Sequence, residues 1–213
     1  MRIERIQLKN YRQFRDLEIL FKKRSGKDLN IVVANNGTGK TNLLNAINWC
    51  LYGTEPHLSK ESQQLPRLNL NTLVTANDGS DETVSVELVT ETEGNRITFS
   101  RSERFSIHAK QPTLKSLSFH VTYLDEKMNA KMVTDEDAAS YVARFVPQDL
   151  REFFFFDGER LDTYFKSATG AQISHAVFEI SNVHTLDRMA DRIETIVSDI
   201  KKEAGRSNPQ LEA

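Results

Sequence analysis

Positions 34 to 41 read Ala34-Asn35-Asn36-Gly37-Thr38-Gly39-Lys40-Thr41, two glycines followed by a lysine and a hydroxyl. Gly37 and Gly39 let successive backbone N–H groups turn inward around anionic oxygens, and a helix starting near Thr41 adds the positive end of its dipole. Lys40 is long enough to reach the β- and γ-phosphates of a bound nucleotide, and the Thr41 hydroxyl is a ligand of the kind that Mg²⁺ accepts. The candidate nucleotide-binding set is therefore Asn35, Asn36, Gly37, Thr38, Gly39, Lys40, Thr41 and Asn42. The pattern G-x-x-x-x-G-K-[ST] opens on glycine where this chain has Ala34, the smallest change available; the loop survives it if position 34 keeps a strand-like φ. The competing reading is a purely structural turn.

A phosphate loop needs a strand before it and a helix after it, and both are predicted. Residues 29–34 (LNIVVA) form an apolar, β-branched run of buried-strand type. In residues 42–52 the apolar positions 43, 44, 47, 50 and 51 recur at helical spacing, and Gly53 is a plausible stop. Further on, residues 83–90 alternate with Val84, Val86 and Leu88 on one face, and residues 96–104 alternate with Ile97 and Phe99. A Glu-Gly-Asn turn joins the two as a β-hairpin. The polar stretch 54–82 is expected to be irregular structure over the nucleotide, with room for a short helix, and residues 117–124 to be another strand. Asp125-Glu126 ends an apolar-looking run and could be mistaken for a magnesium-binding strand end. His120 and Thr122 suit a doubly buried strand poorly, and Lys127-Met128-Asn129 read as a hairpin turn, so that assignment is rejected.

A helix is predicted over residues 135–145, capped by Thr134 and stopped by Pro147. It is followed by a strand over 150–156 that ends in Phe153-Phe154-Phe155-Phe156. Four consecutive bulky residues cannot alternate in and out, so both faces of that strand should be covered, at about 1.5 to 3 kcal/mol per buried side chain. Such burial would fix the position of Asp157-Gly158-Glu159; the other reading is a plain core followed by a turn. From Val183 onward, Leu186, Met189, Ile193, Ile196 and Ile200 fall at spacings of three, four, three and four, the seam of a coiled coil, or of an amphipathic helix lying on the domain.

The composition, 27% charged and 38% hydrophobic over 213 residues, allows one good core and suggests no fibrous or membrane-spanning class. The N-terminus has no apolar run of signal-peptide length, so a cytoplasmic location is expected. The single cysteine, Cys50, sits in an apolar run and reads as a buried structural thiol. The net charge of −2 hides an asymmetry: residues 1–31 hold nine Lys and Arg against four Asp and Glu. The basic run over 22–27 reads as a solvated turn or as a contact to a nucleic-acid backbone.

Residues 6–14 (IQLKNYRQF) resemble the opening strand of the SMC, RecF and RecN group of ATPases, with its L-x-N-F-[KR]-x-F pattern. Residues 36–47 (NGTGKTNLLNAI) are similar to that group's N-G-x-G-K-[ST]-N-L-L-x-A-I. The resemblance implies an α/β fold, the N-terminal lobe of an ABC-type P-loop NTPase head, with a mixed β-sheet and an antiparallel hairpin subdomain. The implied divisions are a head half over 1–182, a coiled-coil root over 183–205 and a tail over 206–213. It implies ATP and Mg²⁺ as ligands, and a phosphate-directed role for Arg12.

Asp157 stands where such heads place the glutamine that contacts Mg²⁺ and the attacking water, so the resemblance gives Asp157 a metal-binding and catalytic role beside Lys40. The wording FFFFDGE resembles the DndD family, coiled-coil ATPases of DNA phosphorothioate systems, and related phage-defence ATPases. In the family, two heads sandwich ATP, and the signature motif and Walker B come from the C-terminal half. The implied partners are therefore that half or a second chain supplying it, a second head, DNA, and other subunits of a modification or defence operon, with no membrane. The chain alone is expected to hydrolyse ATP weakly or not at all. Recombination or repair work of the RecF, RecN or SMC type is the alternative within the family, and a non-catalytic, ATP-dependent dimerisation module is the alternative outside it.

Overall fold

The computed structural model describes residues 1–23, 28–92, 94–125, 127–148, 151–155, 192, 193, 195–197 and 200. They fall into two compact units, Met1–Gln148 and Asp149–Ala213. The first has the expected α/β class. Its six strands are β1 (Arg2–Tyr11), β2 (Phe14–Leu20), β3 (Asp81–Thr92), β4 (Asn95–His108), β5 (Gln111–Leu124) and β6 (Ala130–Thr134). They form one sheet in the order β2-β1-β3-β4-β5-β6, and every pairing is antiparallel.

Alternation decides which face of the sheet is covered. Leu88 lies opposite Ile6 on one side and Phe99 on the other, and Phe99 in turn opposes Val121. All four are fully buried, as are Leu8, Val84 and Val86. Across this face runs α1 (Lys40–Tyr52), with Trp49, Cys50 and Leu51 pressed against β3 and β4. The Cys50 thiol donates to the carbonyls of Val86 (3.4 Å) and Phe99 (3.6 Å), which pins the helix across the β3–β4 seam. Of the predicted helical face only Cys50 and Leu51 are buried; Leu43, Leu44 and Ile47 are half-exposed, and the buried side is completed by Asn45, Ala46, Asn48 and Trp49. Asn45 is accommodated because its Oδ1 accepts the His57 amide at 3.1 Å.

Helix α4 (Asp135–Phe145) has the predicted bounds, with Thr134 at the cap position but making no side-chain cap bond. It packs near β5 through Tyr141, stacked on Tyr123 at 4.9 Å. The polar stretch after α1 carries two short helices, α2 (Lys60–Gln64) and α3 (Leu70–Thr75), each capped by a side chain, Ser59 and Asn69. Asp125 sits in the β5–β6 turn, where its Oδ1 accepts the amides of Lys127 and Asn129, both at 2.9 Å. Those backbone donors, Asn129 first, hold its carboxyl below the usual range. It is a turn cap, as its rejection as a metal ligand requires.

Two expectations are corrected. Residues 29–34 are not a strand and not buried: Leu29, Ile31 and Val33 are 79, 75 and 89% exposed. Strand propensity expresses fit to a pleated, half-covered surface, and no described strand pairs with this run. In the second unit, α5 (Arg151–Phe154) stands in place of the described part of the strand predicted over 150–156, whose residues 150 and 156 lie outside the described residues, and the Phe155 amide donates to the Arg151 carbonyl at 2.8 Å. A short apolar run without alternation is compatible with either period, and here the helical one wins. Of the predicted coiled-coil root, residues 192, 193, 195–197 and 200 are described and are helical, with Ile193, Ile196 and Ile200 exposed. The rest of that root, and residues 24–27 of the basic run, lie outside the described residues. Among the described residues, no helix is long and apolar enough to cross a membrane.

Burial pushes the Cys50 thiol up to about 12. Alkylation at pH 8 should therefore fail in the folded protein and go to completion in denaturant, read by mass spectrometry. Trp49→Ala should cost about 3 to 5 kcal/mol in denaturant unfolding, whereas Leu117→Ser, at a side chain 51% exposed, should stay within about 0.5 kcal/mol.

Candidate nucleotide-binding site

Helix α1 opens the site. Its cap residue is Gly39, with φ 102° and ψ 22°, and no side chain caps the helix. The Leu43 amide, donating to the Gly39 carbonyl at 2.9 Å, is the first to find an intrahelical partner. The amides of Lys40, Thr41 and Asn42 therefore have no partner within the helix, at its positive end. Ahead of them Gly37 turns the chain with φ 78°, and Thr38 closes the turn by donating its hydroxyl to the Asn35 carbonyl at 2.6 Å. The Lys40 ammonium folds back over the loop, 2.9 Å from the carbonyls of both Ala34 and Asn35 and 3.5 Å from Asn36 Oδ1. Residues 34–38 and Lys40 are exposed, so the loop is open to solvent and to a ligand. Charge-assisted contacts with phosphate oxygens are stronger than these ammonium–carbonyl contacts and can replace them.

A magnesium ion needs only one or two protein ligands when phosphates and water supply the remainder. The Thr41 hydroxyl fits that requirement beside the loop. Among the described residues no cluster of three His, Cys, Asp or Glu side chains is able to hold a metal alone. Asp157, the second predicted metal ligand, lies outside the described residues.

Arg12 belongs to a tight turn between β1 and β2 that sequence reasoning did not resolve. Asn10 and Arg12 both have left-handed φ, 50° and 52°. Such backbone persists only where the surroundings over-determine it, and here residues 67–72 do so. The Arg12 amide donates to the Arg67 carbonyl (2.7 Å), the Asn69 amide to the Asn10 carbonyl (2.8 Å), and Asn69 Nδ2 to the Arg12 carbonyl (2.7 Å). Thr72 adds a hydroxyl bond to Asn10 Oδ1 at 2.8 Å.

The Arg12 side chain is held by Glu55 through a fork, Nε to Oε1 at 2.9 Å and Nη2 to Oε2 at 2.7 Å. Tyr11 donates to the same carboxylate at 2.5 Å, and Arg67 Nε stands 2.9 Å from it as an ion pair. Burial alone would lower the Arg12 pKa, but its bond to Glu55 and the charge there outweigh burial and leave it raised. Burial, reinforced by Glu55, raises that of Tyr11. The predicted phosphate-directed arginine is thus placed as the partner of a buried glutamate.

Gln13, the next residue, was not among the predicted site residues, yet it lies directly on the loop. Its Oε1 accepts from Asn42 Nδ2 at 2.5 Å, and a Cβ built on Gly39 would stand 1.5 Å from Gln13 Nε2 and 2.9 Å from Phe14 Cζ. The Q-F wording of the opening strand gives no hint of this contact. Gly39 is therefore glycine for two reasons, its φ and its neighbour, whereas Gly37 has open space around it. Gly37→Ala and Gly39→Ala should each cost about 1 to 2 kcal/mol of left-handed strain, since the Gln13 amide that a Cβ at Gly39 would meet is the end of an exposed, flexible side chain and can swing aside. In thermal or denaturant unfolding the two variants should therefore lose comparable stability.

Comparison with known proteins gives the family. The AAA domain family profile matches residues 5–212. The DNA replication and repair protein RecF of Acetivibrio thermocellus is 40% identical over 63 residues, and that of Clostridium kluyveri 36% over the same length. Each match covers 30% of this chain and only 16% of the relative. Among solved structures, one from a study of ATP-driven dimerization and DNA-stimulated activation of SMC ATPases aligns with a TM-score of 0.48 and 16% identity, over 84% of this chain and 99% of that one. The chain belongs to the AAA domain family.

Proposed function

We propose that this chain binds ATP with Mg²⁺ through the 34–42 loop and the first turn of α1. The observation that carries this reading is the helix start at Gly39, which leaves the amides of residues 40–42 without helical partners beside the Lys40 ammonium. In it the amides and Lys40 hold the β- and γ-phosphates, and Thr41 ligates the cation. Asp157 supplies a second protein ligand, a carboxylate, to the cation and faces the attacking water. The magnesium, when bound, neutralises charge on the transferred phosphoryl group. Hydrolysis requires a second lobe carrying the remaining motifs, from further chain or from a separate subunit, and two such heads closing on ATP.

The machine so driven acts on DNA. Likeness to the two RecF proteins supports work in recombination or repair. The FFFFDGER stretch supports a second reading, a DNA phosphorothioation or phage-defence ATPase with operon partners.

Titration with a fluorescent ATP analogue tests the binding. Lys40→Ala should weaken it by at least about tenfold, the equivalent of one charge-assisted contact, and chelation of Mg²⁺ should weaken the wild type but leave the variant little changed. Equal affinity of wild type and Lys40→Ala would remove the loop from the nucleotide. With the complementary lobe added, hydrolysis no faster in wild type than in Lys40→Ala would instead favour a non-catalytic dimerisation module.

A further inference from the structure

The side-chain amides of Gln13 and Asn42, 29 positions apart in sequence, meet over the start of α1, where Asn42 Nδ2 donates to Gln13 Oε1 at 2.5 Å. Fixing one end of a planar amide fixes the other. Here that other end, Nε2, lies against Gly39, 1.5 Å from the point where a Cβ would stand. The Phe14 ring also reaches that point, with Cζ at 2.9 Å, but Phe14 is a strand residue paired with Tyr11. Gln13 is exposed, and its side-chain rotors are free to turn. Of the two, only Gln13 can leave.

The place it occupies is what makes this contact more than a surface hydrogen bond. Glycine in a phosphate loop omits the Cβ so that backbone and ligand can come close. At Gly39 the space so left holds an amide from the β1–β2 turn. A phosphate oxygen drawn to the unpartnered amides of Lys40, Thr41 and Asn42 meets that amide first. Gln13 does not satisfy those donors itself, because its Oε1 is taken by the Asn42 side chain. The backbone beneath it is held: the Arg12 amide donates to the Arg67 carbonyl, and Asn69 Nδ2 to the Arg12 carbonyl, both at 2.7 Å. Movement is thus left to the Gln13 side chain alone.

We propose that the Gln13–Asn42 hydrogen bond is a latch on the nucleotide site. Closed, it keeps the Gln13 amide over Gly39; it opens by rotation of the Gln13 side chain, and only then can a phosphate settle on the 40–42 amides. This rests on the nucleotide reading of the 34–42 loop. One exposed hydrogen bond between neutral groups makes the closed form the major one and lowers apparent affinity about three- to tenfold.

Stopped-flow mixing of the full chain with a fluorescent ATP analogue and Mg²⁺ tests the latch, using Gln13→Ala, Gln13→Glu and Lys40→Ala. Gln13→Ala should bind about three- to tenfold more tightly than wild type, with the whole gain in the association rate and an unchanged dissociation rate. Gln13→Glu keeps an oxygen for Asn42 but sets a negative charge over Gly39, so it should bind more weakly than wild type. A residue that merely supported the loop, or that donated to the phosphate, would lose affinity on truncation to alanine. Weaker binding by Gln13→Ala therefore overturns the proposal, as do wild-type rates in Gln13→Ala or wild-type or tighter binding by Gln13→Glu. If Lys40→Ala binds as well as wild type, the loop reading fails and takes the latch with it. A loss in Lys40→Ala beside an unchanged Gln13→Ala removes the latch alone. Should Gln13→Ala melt below the wild type in a thermal scan, Gln13→Ser takes its place in the same measurements.

Discussion

Glu55 is sealed from water, so its charge has to be met by Tyr11, Arg12 and Arg67, and that requirement draws three separate stretches of chain to one point. Removing any one partner would leave part of a buried carboxylate without the contact that replaces its hydration. The turn between β1 and β2 is therefore not free to adopt the relaxed backbone that Asn10 and Arg12 would otherwise prefer. Its left-handed residues are locked by Asn69, which caps α3 with one end of its amide and holds the Arg12 carbonyl with the other. Fixing the turn fixes Gln13, and Gln13 lies on the loop where α1 begins.

The sheet supplies the opposing anchor. Trp49 and Cys50 bind the second half of α1 to the β3–β4 seam, while Arg101 reaches across from β4 to donate to the Cys50 carbonyl at 3.0 Å and stacks on Phe119. Trp49 also faces the Tyr11 ring at 5.7 Å and lies beneath the Arg67 guanidinium. The same helix thus has its far end set by apolar burial and its near end approached by a polar turn. Cushioned between them are Asn45 and Asn48, two buried amides that an amphipathic pattern would never select.

Legibility followed the range of the interactions involved. The strand alternation of β3 and β4, the bounds of α4 and the glycine-lysine loop are local, each encoded in the residues that form it, and all could be read directly. Gln13 on Gly39, and Glu55 with Arg12, join positions tens of residues apart through polar side chains, and no period or spacing marks such pairs. The aromatic run before Asp157 misled because bulk alone does not choose between a helix and a strand, and residues 29–34 misled because their β-branched side chains state a preference that only a partner strand can satisfy. The fold class was legible for the same reason that the loop was: the motif and its flanking helix occur together.

The exposed ribbon over residues 29–33 has a consequence for handling the protein. It carries no charge and no proline, and its side chains are among the most solvent-exposed large apolar groups described. Segments of this kind add edge to edge between molecules. Self-association of the isolated chain should accordingly begin there, immediately upstream of the phosphate loop, and concentrated samples would lose access to the ligand site as they cluster.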